Sequence, residues 1–178
     1  MRVLKVCVGS HGRFHAFHLA AGLYHLGALE SLQSTYPYIF IKHAIGFNIP
    51  TRTAPSLEIL RTLGVKFGDR HAANVLLSER FGRFLAKYIR RSHPDILVGW
   101  SSSTLEAIPV AHDRGIKVIV ERGSSHIAQQ TEVLSNAYAA LGITSMITHP
   151  QIIERELEEY ALADAISDGT EIVCRKWH

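Results

Sequence analysis

Short apolar stretches that break off into polar loops of small residues constrain this chain more than any other feature. "VLKVCV" at 3–8 stops at Gly9. "ILVGW" at 96–100 runs into Ser101, Ser102 and Ser103. "VIVE" at 118–121 turns at once into Arg122, Gly123, Ser124, Ser125 and His126. Runs of about five β-branched and apolar residues predict buried strands. Helical patterns lie between them. Phe14, Phe17, Ala21, Tyr24 and Ala28 recur at three- and four-residue steps, with Gly27 marking the end. Pro55 can open a helix through Leu63. Ala73, Leu77, Phe81, Phe84, Leu85 and Tyr88 form one stripe, and 103–116, 129–140 and 151–163 read as further helices. Ser103 or Thr104 would cap the first of these three and Pro109 would kink it. "LESLQSTYP" reads as a strand entering a loop, 38–53 as loop, and "DAIS" as a last short strand. Strands alternating with helices predict an α/β fold, a parallel sheet with helices on both faces. Ligands of such sheets sit outside the carboxyl ends of the strands. The loops at Gly9–Gly12, Trp100–Thr104 and Glu121–His126 should therefore meet on one edge.

Composition allows this and narrows the partners. The 178 residues are 47% hydrophobic and 20% charged, enough for one domain, 1–178, with a sizeable core. A net charge of +3 suits anionic ligands or a membrane surface and requires neither. No nucleic-acid motif appears. Cys7 and Cys174 have no metal-ligand spacing and form no disulfide framework, which fits a reducing cytoplasm. The first residues read as a strand and not as a signal peptide. The stretch 14–29, free of Asp, Glu, Lys and Arg, is too short to span a bilayer.

Each candidate loop has two readings. "GSHG" (Gly9, Ser10, His11, Gly12) could bring backbone N–H groups and a helix N-terminus to a phosphate, or be a tight turn. It lacks the third glycine of the dinucleotide fingerprint and the lysine of the phosphate loop, which argues against an oxidoreductase. His11, His15, His18 and His25 share one side of the first helix. Without a nearby carboxylate or cysteine they read as a polar flank and not a metal site. "WSSST" offers hydroxyls for a sugar or for helix capping, and no G-x-S-x-G elbow supplies a nucleophile. In "ERGSSH", Arg122 can grip phosphate or carboxylate and His126 can bond a hydroxyl; alternatively Glu121 and Arg122 pair on a solvated loop. On the first reading, Arg122→Ala or His126→Ala would lower activity far more than stability, since exposed loop residues shift stability by no more than about 0.5 kcal/mol; equal losses of both would favour the ion pair.

Taken in order, "FHAFHLAAGL", "GALESLQSTYP", "ERGSSHI" and "ERELEEYALADAIS" resemble the N-terminal domain of glycosyltransferase family 4. The resemblance implies a Rossmann-like fold, the acceptor-side half of a GT-B enzyme. It further implies retaining transfer from a nucleotide-sugar donor to a saccharide or lipid acceptor, with no cofactor and no bound metal. Gly9 and Gly12 would face the cleft, and Glu121–His126 would form its wall. No catalytic residue is carried over. After "ADAIS" the family continues with "VPS" and an aromatic near "RSF". This chain reads "DGTEIVCRKWH", with Glu171, Val173, Arg175 and Trp177 echoing that pattern. The donor-binding half is then expected to be missing, and the chain to be inactive alone. The alternative is a non-catalytic binding module on the same fold. Basic residues beside the Ala73–Tyr88 stripe could bring a peripheral contact at the inner membrane face, or simply flank a core helix.

Overall fold

Strand β1 (Val6–Ser10) is the centre from which the sheet grows in both directions. The computed structural model describes residues 3–13, 15–67, 69–167 and 172–173. From β1 the chain passes through α1 (Ala16–His25) to β2 (Leu29–Ser34), then through α2 (Tyr38–Ile45) to β3 (Thr51–Thr53). It returns by α3 (Pro55–Phe67) and α4 (Arg70–Ile89) to the other side of β1. There it adds β4 (Ile96–Trp100), α5 (Ile108–His112), β5 (Lys117–Glu121), α6 (Ile127–Ala140), α7 (Pro150–Leu162), β6 (Ala165–Ser167) and β7 (Ile172–Val173). The order is β3-β2-β1-β4-β5-β6-β7. The first six strands are parallel, and β7 runs antiparallel to β6. Strand order reverses between β1 and β4, where a Rossmann-like sheet opens its ligand crevice.

Strand alternation divides the core. Cys7, Leu97, Val118 and Val120 face a cluster with Phe81, Leu85 and Ile89 of α4, Ile108 of α5 and Tyr160 of α7. Val6, Val8, Leu32, Val98 and Trp100 face Phe17 of α1 and Ile41 of α2. Both faces are thus covered, as the alternation of elements predicts.

Several boundaries differ from the sequence reading. β1 is shifted to Val6–Ser10, because Gly9 and Ser10 continue the ladder to Gln33 and Ser34, while Val3 and Leu4 are exposed. The side chain of Leu85 lies where a Cβ on Gly9 would sit, 2.8 Å from its Cδ2. The stretch 38–53 is not loop. Pro37 precedes a two-turn helix that buries Ile41, Gly46 ends it with φ of 82°, and Thr51–Thr53 pair with β2 as an edge strand. On α1 the buried residues are Ala16, Phe17 and Ala20. Tyr24 is exposed and packs on Phe47, and Phe14 lies outside the described residues. Gly27, at φ of 67°, ends the helix as read. α3 runs four residues past Leu63 to Phe67. In place of one kinked helix after β4 there is a 3-10 turn, Leu105–Ala107, then α5 with Pro109 in its first turn. Of the tail, Val173 lies in β7; Cys174, Glu171, Arg175 and Trp177 lie outside the described residues. Among the described residues no helix is long and apolar enough to cross a membrane.

Candidate functional site

The carboxyl ends of β1, β4 and β5 open into one cleft of about 440 Å³, lined by His11, His15, Trp100, Ser101, Ser102, Arg122, Gly123 and Ser124 among others. The loops touch: a Cβ on Gly123 would stand 3.6 Å from His15 Nε2, and Ser101 N–H donates to Glu121 O at 3.0 Å. Residues that sequence reasoning left out of the site also line it. His71 and Asn74 come from the start of α4, Gln130 from α6, Thr148 and His149 from the segment before α7, and Glu156 from α7.

The β1 loop is closed by its own serine. Ser10 Oγ donates to Gly12 O at 3.0 Å and accepts Gly12 N–H at 3.3 Å. Gly9, Ser10 and Gly12 therefore shape the turn, and His11 is its contribution to the cleft lining. Burial lowers the His11 pKa from 6.5 to about 4, with Glu58 opposing and Arg61 assisting the shift. At neutral pH it meets the cleft as an uncharged imidazole.

The β4 loop is held from α7. Ser103 Oγ and Thr104 Oγ1 do not cap the following turn; both donate to Trp100 O, at 3.0 and 2.8 Å. The cap is the carboxylate of Glu159. It accepts Ser102 N–H at 2.6 Å on Oε2, and Thr104 and Leu105 N–H at 2.7 and 2.8 Å on Oε1. Burial pushes the Glu159 carboxyl up to about 8, against the pull of those three N–H groups. Ser102 has φ of 69°, a left-handed conformation uncommon outside glycine. Its carbonyl accepts from Arg155 Nε at 3.1 Å, and Arg155 grips Glu106 with two bonds of 2.9 Å. Gly99 and Gly82 make room: a Cβ there would lie 2.2 Å from Thr104 Oγ1 and 1.8 Å from Glu106 Oε2.

Arg122 does not pair with its neighbour among the described residues. Its Nη1 lies 3.3 Å from Glu156 Oε2 and 3.5 Å from Ser101 Oγ, Nε donates to Ser125 O, and Nη2 donates to Gln130 Oε1. Glu156 is buried, which raises its pKa, while Arg122 and the Tyr160 hydroxyl, donating at 2.7 Å, act the other way. Glu121 is itself buried at the end of β5. His126 is not brought to His11. It packs on the Tyr160 ring, centroids 5.3 Å apart, beside a second hollow of about 190 Å³ that also takes in Ser125. Arg122 and Ser124 line both spaces. The arrangement offers hydroxyls, uncharged imidazole and one anchored guanidinium. That set can bind a polyhydroxylated or phosphorylated molecule. Among the described residues no three His, Cys, Asp or Glu side chains form a metal-holding group.

Helix α7 was read from the sequence, but its contribution to the site was missed. Its signal was the motif "ERELEEY" at 154–160, where three of the side chains, Arg155, Glu156 and Glu159, turn inward although their residue types usually face water.

No family model matches the sequence, and none of the curated proteins matches it. Solved structures do match. A protein from Listeria monocytogenes assigned as a UDP-N-acetylglucosamine 2-epimerase aligns with TM-score 0.53 and 12% identity, over 94% of this chain and 40% of that one. A second UDP-N-acetylglucosamine 2-epimerase aligns with TM-score 0.54 and 14% identity, over 94% and 42%. The chain spans less than half the length of either counterpart. At such identity the likeness establishes the fold: the described residues build a Rossmann-like α/β unit of the kind found in GT-B-like nucleotide-sugar enzymes.

Proposed function

We propose that this chain is the acceptor-side half of a retaining glycosyltransferase that moves a sugar from a nucleotide-sugar donor to a saccharide or lipid acceptor. The observation that carries the reading is the strand-end cleft, where Ser101, Ser102 and Ser124 stand beside Trp100 and around an Arg122 held by Glu156 and Gln130. Hydroxyls bond hydroxyls in either direction, and an anchored guanidinium fixes a phosphate or hydroxyl. The donor's nucleotide and diphosphate are held by a second half facing this cleft. Positioning both reactants contributes roughly 7–11 kcal/mol to such a reaction when fully realised. Residues 1–178 assayed by themselves therefore bind acceptor without turning it over.

The fold of the solved counterparts favours a second reading, half of a nucleotide-sugar 2-epimerase. One experiment separates the two. The chain is titrated with neutral oligosaccharides, with UDP and with UDP-N-acetylglucosamine, following amide shifts by NMR. Saccharide shifts centred on Ser101, Ser102 and Arg122 support the acceptor reading. Shifts there with UDP-N-acetylglucosamine alone support the epimerase reading, and shifts with none of the three refute both.

A further inference from the structure

The strand-end cleft does not stop at His71. A second cavity of about 430 Å³ shares His71, Asn74 and Ile147 with it, so the two form one groove. The two compartments differ in chemistry. The far one is lined by Arg61, Arg70 and His71 with Tyr138 and Ser145, and among the described residues no carboxylate lines it. The acids nearby are already engaged, Glu58 with Arg61 itself. Glu58 holds Arg61 through Nε and Nη2, and Asp69 caps α4 by accepting the His71 and Ala72 N–H groups. Glu58 thereby fixes the Arg61 side chain in place. Arg70 makes no ion pair among the described residues.

The position of these cations is also unfavourable without a ligand. Arg70 and His71 occupy the first turn of α4, where no acid is present and the helix end carries partial positive charge. Asp69 offsets part of this. Glu58 offsets Arg61, which leaves Arg70 beside the hollow with no ion pair among the described residues; an anion there gains Arg70 as its counter-charge, with Arg61 and His71 as further donors.

We infer that the groove takes an elongated ligand with two unlike ends: a neutral, hydroxyl-rich part at Ser101, Ser102 and Arg122, and an oxyanion, phosphate or carboxylate, at Arg61, Arg70 and His71. This deepens the acceptor reading and rests on it for the first part only. The anion end stands on the far cavity alone. Combined, the two cavities fall within the size range of sites for small organic ligands.

The test uses the whole chain with four probes, glucose, glucose 6-phosphate, glucuronate and inorganic phosphate, followed by NMR and calorimetry. Glucose 6-phosphate or glucuronate should bind more tightly than glucose. Arg70→Gln should remove about tenfold of that advantage, the scale of one charge-assisted hydrogen bond, and leave glucose unchanged. Which of the two anionic sugars gains more tells phosphate from carboxylate. If inorganic phosphate binds in an Arg70-dependent way while glucose does not bind, the anion site stands and the acceptor reading falls. If glucose binds but its phosphate and uronate bind no better, or if Arg70→Gln and the folded variant Arg61→Gln both leave them unchanged, the inference is overturned and the acceptor reading survives.

Discussion

Glu159 on α7 accepts the backbone N–H of Ser102, 57 residues earlier, at 2.6 Å. A left-handed serine costs of order 1–3 kcal/mol and persists only when its surroundings over-determine it. Here they do, with Glu159 on its N–H and Arg155 on its carbonyl. Removing the carboxyl by Glu159→Ala leaves the buried N–H groups of Ser102 and Thr104 and the half-buried one of Leu105 unpaired, at about 1–3 kcal/mol for each buried unsatisfied group. The urea midpoint should fall sharply. Glu159→Gln, which keeps one acceptor oxygen, should fall less. Equal midpoints for both variants and the parent would show that the carboxylate does not hold this loop.

Stability should depend on pH through two buried groups acting in opposite directions. His11 titrates near 4 when folded, against 6.5 ordinarily, so the unfolded chain takes up a proton first as pH falls. Its contribution is complete above about pH 6.5 and is lost as pH drops towards 4. Glu159, raised from 4.5 to about 8, keeps its proton longer in the folded state. Its contribution is complete below about 4.5 and is lost as pH rises through 8. His11→Asn should flatten the acid side of a urea-midpoint profile and Glu159→Gln the alkaline side, in part, since Glu156 shifts the same way. A ring titration of His11 close to 6.5 by NMR would contradict the first half.

Two glycines give opposite outcomes for the same change. Gly82→Ala drives a methyl into the Glu106 carboxylate that Arg155 holds, so it should destabilise by about 1–3 kcal/mol, the range for overpacking. Gly22→Ala, in the middle of α1 with open space around it, should stabilise by about 0.4–1 kcal/mol. Thermal melts of both read the difference directly.

Arg122 cannot be treated as a free loop residue, as its sequence neighbours suggest. Arg122→Ala leaves the buried Glu156 without its cation, and breaking such a pair typically costs about 3–5 kcal/mol. The double variant Arg122→Ala/Glu156→Gln should recover most of that stability and none of the saccharide binding. Recovery of both would reduce Arg122 to a structural role.

The sheet was legible because its signals are local. Each of β1, β4 and β5 is an apolar run, and each of the three polar ends beside them arrives at the same edge. Helix α2 was not legible. Its eight residues bury only Ile41, so no periodic stripe appears. The roles of Ser103 and Thr104 were misread because a helix cap was assumed to come from its own neighbourhood, while the carboxylate that fills it is supplied by α7. The same distance hid the partner of Arg122, since Glu156 lies 34 residues away. Long-range pairing of side chains leaves no periodic trace in a sequence.

Helix α7 is among the last elements of the fold, and this bears on how the protein is made. A nascent chain leaving the ribosome can assemble β1 to β5 before residues 150–162 exist outside the exit tunnel. Until then Ser102 has neither Glu159 nor Arg155 to fix its backbone, and Arg122 has no Glu156. The cleft thus acquires its shape only after α7 has emerged, later than the strands β1, β4 and β5 whose ends frame it, and a stall before α7 would yield those strands without a formed cleft.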